Sequence, residues 1–424
     1  MITKVEAVNY RCLRNISREL GPFHVIAGPN GSGKSAFFEV IKVLGAFAAD
    51  GLPSVWEESR ATQFSELLFC GQGTAFQLAV EMKVPEEVLN ELRRKNGERK
   101  QFVRYEIEIG REETTEGEGT RILSENLWVM DKPTMTARSD VVQEEFEFPS
   151  PSRPTRDLIS GRHKTPTGWR KAAAKTGKLN AYFKSETSEW NFTLKNGPLR
   201  SALSSLPEDE RFGLANWAKQ TLTNGVQKLM LRSELMQRPC GPLKESRFLP
   251  DGSTLPLVVR RLRRNNKSFA AWLGHVQTIL PIQNIEVIEK PEDKHHYLRA
   301  TYESGVRVPS WHLSDGTLRM LALTLLPYVE SKGLIYLIEE PENGVHPPAV
   351  EAIFKSLTSL YDGQALVATH SPVLVGLIEP RQLLCFSRTA TGETDIMGGE
   401  NHPKLKDWQK GFRLGQLFAS GVLG

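Results

Sequence analysis

Gly28-Pro29-Asn30-Gly31-Ser32-Gly33-Lys34-Ser35 is the stretch on which the fold turns. It follows the apolar run His24-Val25-Ile26-Ala27 and precedes SAFFEVIKVLGAFAAD (35–50), apolar at helical spacing with no breaker before Gly45. Buried strand, glycine-rich turn and helix start, in that order, fit the phosphate-binding pattern G-x-x-x-x-G-K-[ST] at every fixed position. The glycines let backbone N–H groups of residues 30–33 (Asn30, Gly31, Ser32, Gly33) converge on phosphate oxygens. The helix N-terminus adds partial positive charge. Lys34 is expected to reach the β/γ phosphates of ATP and the Ser35 hydroxyl to ligate Mg²⁺. An ordinary glycine-rich turn would match this pattern only by chance.

Leu334-Ile335-Tyr336-Leu337-Ile338-Glu339-Glu340 is the second anchor: an apolar run ending in two carboxylates, a strand whose C-terminal end presents acids to a crevice. Glu339 is the candidate Mg²⁺ holder and Glu340 the candidate general base for an attacking water. An acidic strand end facing solvent is the plainer alternative. Leu313-Ser314-Asp315-Gly316-Thr317 precedes the helical pattern LRMLALTLLPYV. Alone it reads as a turn and helix cap. Its position about twenty residues before the acidic strand makes Ser314 and Gly316 candidate anion contacts. Ala368-Thr369-His370-Ser371-Pro372 ends another apolar strand and puts His370 at a strand terminus, a candidate γ-phosphate sensor rather than a structural histidine.

Around these anchors, ITKVEAVNY and RCLRNISREL read as strand, turn, strand. AFQLAVEMKV and FVRYEIEIG alternate apolar and polar positions, as in a half-exposed antiparallel sheet. Residues 149–178, rich in Pro, Gly, Ser and basic side chains, read as a loop or partly disordered arm. Helical pattern follows, notably SALSSLPEDERFGLANWAKQTLTNGVQKLMLRSELM and VVRRLRRNNKSFAAWLGHV; IQNIEVIEK and HYLRATYES return to strand, and residues 311–378 alternate helix and strand. The expectation is therefore an α/β fold: residues 1–130 and 281–424 forming one head, with a basic, largely helical insertion at 131–280.

Charge supports that division. The chain carries +4 overall, yet residues 151–270 hold 23 Lys+Arg against 9 Asp+Glu, leaving the remainder acidic. A basic middle meets phosphates or an acidic partner, or is simply a solvated surface. The arm at 153–178 has eight basic residues against one acid, Asp157. The four cysteines have no metal-site or paired spacing and read as buried small hydrophobes of a reducing cytosol. No apolar run approaches the ~20 residues of a membrane span, and the N-terminus lacks a secretory signal, so the expectation is cytoplasmic.

With all four motifs in this order, the sequence resembles the ABC-type ATPase superfamily, and within it the SMC-like and OLD-like AAA-ATPases. IEEPENGVHP (338–347), SDGTLRMLAL (314–323) and ATHSP (368–372) are similar to the single-chain ATPases of bacterial anti-phage systems. The resemblance implies an ABC/SMC-type P-loop head with an antiparallel β lobe. It implies ATP sandwiched between two heads in a homodimer or larger assembly, with Ser314 of one subunit capping the nucleotide of another. NYRCL (9–13) nominates Arg11 as a further phosphate or base-proximal contact, and Gln72, with Gln63 as its competitor, is the candidate Q-loop ligand to the metal. The signature departs from the family pattern, S-D-G-T in place of S-G-G-Q, and the first acid is Glu in place of Asp. OLD nucleases carry a nuclease domain beyond the histidine; only 54 residues follow His370, with no spaced set of strand-end acids.

Three functions follow as expectations: a sensor or scaffold ATPase of a defence system with a nuclease effector in trans; a DNA-repair ATPase clamping duplex DNA; or a nucleotide-switched interaction module with negligible turnover. The tail DWQKGFRLGQLFASGVLG carries Trp408, Phe412, Leu414, Leu417 and Phe418 on a broken apolar stripe expected to dock on the core, with a partner-docking helix as the alternative.

Overall fold

The structure is a computed structural model that describes every residue except 97–99, 115–116, 135–147, 151–153, 162–164, 177–178, 243–246, 330–331, 407–413, 422 and 424. β1 (Ile2–Tyr10) and β2 (Leu13–Glu19) make a hairpin, and β3 (Phe23–Ala27) runs into the phosphate loop. Then come β4 (Ala75–Lys83), β5 (Phe102–Thr114), β6 (Gly117–Met130), β7 (Trp169–Thr176), β8 (Asn180–Lys184), β9 (Asn191–Lys195) and β10 (Val226–Leu229). The last are β11 (Ile282–Glu289), β12 (His296–Tyr302), β13 (Arg307–Pro309), β14 (Ile335–Glu339), β15 (Gln364–Thr369), β16 (Leu383–Arg388) and β17 (Thr394–Gly398).

The site is set by a six-stranded sheet, ordered β10-β14-β15-β3-β16-β17 and parallel except for the β16–β17 hairpin. Its inner strands are apolar on both faces because both are covered. Ile26, Leu337 and Leu366 face the core shared with the helix Lys34–Ala49. Val25, Ile338 and Val367 face the helices Leu255–Leu262, Asn266–Gln277, Asp315–Leu325 and Pro347–Thr358. The helix Lys34–Ala49 lies between this sheet and an antiparallel eight-stranded one, β2-β1-β4-β5-β6-β7-β8-β9, and is buried nearly all round. β11, β12 and β13 form a third, small sheet.

Several expectations change. The β4–β6 face is not half exposed. Arg104 lies buried on it, its guanidinium paired with Glu6, Glu81 and Glu106, and the segment around Leu158–Ser160 closes over it. Within the presumed loop 149–178, Trp169–Thr176 is β7: its alanines carry no strand pattern, and pairing with β6 decides the conformation. The stretch 131–280 supplies helices, but its β7, β8 and β9 extend the β6 sheet and its β10 edges the central sheet, so the boundary at 130/131 falls inside one sheet. Val226–Leu229, read as helical, is a strand because it pairs with Ile335–Ile338. Leu414, Leu417 and Phe418 dock on the core as expected; Trp408 and Phe412 lie outside the described residues. The cysteines are free, with Cys385 buried but Cys70 exposed. Among the described residues no helix is long and apolar enough to cross a membrane.

Candidate nucleotide-binding site

The register of the central sheet assembles the site. Glu339 pairs with Ala368 and Thr369 with Ala27, so the carboxyl ends of β14, β15 and β3 are level. Three sequence segments more than 300 residues apart at the extremes thereby deliver Glu339, His370 and the phosphate loop to one crevice. It is a cleft of about 470 Å³ lined by Asn30, Gly31, Gly33, Lys34, Ser35, Glu339, Glu340 and His370, all expected from sequence. Cys12, Ala36, Arg319, Asn343 and Ala368 complete it.

The loop's glycines answer to close approach. A Cβ on Gly28 would stand 2.2 Å from the Phe386 carbonyl oxygen, and Gly33, at φ +99°, lies against Thr394 and Cys12. Gly33 hands the chain directly to the helix that begins at Lys34, so backbone N–H groups of its first turn open on the cleft. Lys34 Nζ donates to the Gly28 and Pro29 carbonyls, both at 2.8 Å. Burial pulls its ammonium below the ordinary value, while Glu340 and Glu339 pull the other way. Ser32 is buried within the loop.

Glu340 follows the last strand residue and sits at φ +48°, a conformation uncommon for a non-glycine residue and concentrated at functional sites. Its carboxylate is 3.5 Å from His370 Nε2 and accepts from Asn343 Nδ2. Glu339 pairs through Oε2 with Lys228 at 3.2 Å, whereas its buried Oε1 has no hydrogen-bond partner. Glu339 and Ser35 both line the cleft, and the hard oxygens of these two side chains suit Mg²⁺ carried on phosphates. Among the described residues no three His, Cys, Asp or Glu side chains cluster as a protein-only metal site.

The other candidates lie elsewhere. Arg11 is engaged with Glu39 Oε1 at 2.8 Å and the Ser59 carbonyl at 2.6 Å, and does not line the cleft. Gln72 is exposed and outside the cleft, its carbonyl accepting from Asn9; Gln63 is exposed too. Ser314 caps the helix Asp315–Leu325, accepting from Thr317 N, and Gly316 packs on the Gly344 carbonyl; neither lines the cleft. Sequence reasoning passed over Arg319 and Asn343. Their signal was spacing: Arg319 is one helical turn past Gly316, and Asn343 is three residues past Glu340.

Fold and site together define an AAA-type domain with a P-loop at its candidate site. Over residues 23–376 the chain matches, and belongs to, the family described as "AAA domain, putative AbiEii toxin, Type IV TA system". No curated protein sequence matches it. Among solved structures it is similar to an Smc head bound to the C-winged helix domain of ScpA, at TM-score 0.51 and 13% identity over 94% of this chain and 98% of that one. A Pyrococcus furiosus Smc head with an extended coiled coil (TM-score 0.49, 12% identity, 96% and 98% covered) and a Thermotoga maritima SMC head domain (0.41, 13%, 94% and 98%) are also similar. The first of these likenesses shows a shared fold.

Proposed function

We propose that the chain hydrolyses ATP with Mg²⁺ at composite sites between subunits, as an OLD-like sensor or scaffold of a prokaryotic anti-phage system whose nuclease effector is a separate protein. The observation that carries it is the meeting of Lys34, Ser35, Glu339, Glu340 and His370 in one cleft while Ser314 lies outside it. A site built this way has its phosphate cradle and base, and leaves the signature turn for a second head. Ser35 and Glu339 would hold Mg²⁺, which supplies charge neutralisation on the phosphates. Glu340 accepts a proton from the attacking water, His370 orients that carboxylate, and Lys34 holds the β/γ phosphates. The family's description as a toxin of a toxin–antitoxin system supports the defence role.

The test compares wild type with Lys34→Ala and Glu340→Gln. Wild type should turn over ATP. Lys34→Ala should lose nucleotide binding, and Glu340→Gln should bind ATP with kcat lowered about 10²–10⁴-fold. With ATP, Glu340→Gln should double in native mass. Retained turnover in Glu340→Gln refutes the base; a single-chain mass with ATP bound refutes the shared site. DNA cleavage by the chain alone refutes an effector in trans.

A second reading, a clamp on duplex DNA, is supported by Arg260, Arg261, Arg263 and Arg264, all exposed around the end of one helix. The arm argues less for it, since Lys175 is buried and donates to Asn196 and the Arg200 carbonyl, and Lys171 stacks on Trp128. Duplex affinity that falls steeply with salt, and collapses when the four arginines are neutralised, would favour this reading.

A further inference from the structure

Arg319 stands out among the groups lining the cleft. It shares that cleft with two carboxylates, Glu339 and Glu340, yet among the described residues it pairs with neither. Glu339 is taken by Lys228, and Glu340 by Asn343 and His370. Among the described residues the Arg319 guanidinium makes one hydrogen bond, and it is long, 3.4 Å from Nη2 to the Leu231 carbonyl. By contrast, Arg11 is saturated by a carboxylate and two carbonyls. A five-donor planar cation, half-buried and left with most of its fork unused beside a phosphate loop, suits an anion supplied from outside.

Its placement is fixed. Arg319 is three residues past Gly316, hence on the same face of the helix Asp315–Leu325, and Gly316 is in contact with the Gly344 carbonyl of the loop after Glu340. We propose that Arg319 is a catalytic residue that binds the γ-phosphate of the ATP held by its own subunit and stabilises the charge developing there during hydrolysis. Because Ser314 caps the same helix, the contact also ties the nucleotide of one head to the turn that head offers its partner.

This rests on the nucleotide-hydrolysis reading above, and the experiment separates the two. In the full chain, Arg319→Ala and Arg319→Lys are compared with wild type and Lys34→Ala for kcat, KM and affinity for ADP and a non-hydrolysable ATP analogue. Arg319→Ala should lower kcat about 10²–10³-fold, the loss typical of one preorganised donor. It should weaken the ATP analogue more than ADP, and guanidinium ion should restore part of its rate but none of that of Lys34→Ala. Arg319→Lys should fall between, since the charge stays and the fork is lost. Wild-type kcat with wild-type discrimination between ATP and ADP would overturn the proposal. Equal weakening of both nucleotides with a lowered melting temperature would overturn it as well, by revealing a structural role. A wild-type chain that binds ATP without turnover defeats the hydrolysis reading and with it the catalytic half of this proposal, and the ATP/ADP comparison then decides whether Arg319 reads the γ-phosphate. A chain that binds neither nucleotide overturns both.

Discussion

Replacing Gly316 by alanine tests whether the contact between the signature helix and the loop after Glu340 sets the site. Gly316 has an ordinary negative φ near a helix start, so alanine suits the backbone and gains up to about 1 kcal/mol of helix propensity. Its Cβ, however, would stand 2.3 Å from the Gly344 carbonyl oxygen, where ordinary contact begins at 3.4 Å. Helix and loop must therefore part by about 1 Å, because the obstacle is a backbone oxygen rather than a flexible side chain. Overpacking of this kind costs about 1–3 kcal/mol, which the propensity gain partly offsets, so the protein should fold and melt within several degrees of wild type. The catalytic cost is larger in proportion. The loop carries Asn343, which bonds Glu340, and the helix carries Ser314 and Arg319. A displacement of about 1 Å at a positioned group can lower rates about 10²-fold. Steady-state ATPase kinetics with a thermal melt on the same preparation reads both quantities. A wild-type kcat/KM with an unshifted melt would refute the reasoning.

Arg104→Met should leave Glu6, Glu81 and Glu106 buried without their shared cation and cost about 3–5 kcal/mol, read as a drop in the urea midpoint; an unmoved midpoint would show the cluster to be dispensable. Burial lowers the pKa values of His24, His275 and His402, so below about pH 6.5 the unfolded chain binds protons more readily than the folded one. Their stabilising contribution is thus full above that pH and lost as pH falls, and the urea midpoint should decline between about pH 7 and 5.5; a rise on acidification would contradict the assignment.

Much of the site was legible because its chemistry is written in short, contiguous patterns. The phosphate loop needs glycines, a lysine and a serine at set spacing, and the acidic and histidine strands announce themselves as apolar runs with polar ends. Arg11 and Gln72 were less legible: their proposed roles rested on resemblance, and their neighbours come from distant segments. Arg11 meets Glu39 and Ser59, partners no local pattern reveals. β7 was missed because alanines such as Ala172, Ala173 and Ala174 have no strand preference until β6 offers them hydrogen bonds.

Residue type and near-neighbour spacing were enough to specify the α/β head, the phosphate-loop pattern and the identity of the two carboxylates and the histidine. That β14 and β15 lie in register with β3, bringing Glu339, Glu340 and His370 to Lys34, emerged from tertiary pairing. It alone decided that Arg319 joins them while Arg11 and Gln72 do not, and that β7, β8 and β9 complete a sheet rather than a separate insertion. The reason is physical: strand order and side-chain partners arise from long-range pairing and burial, which a local pattern permits without specifying.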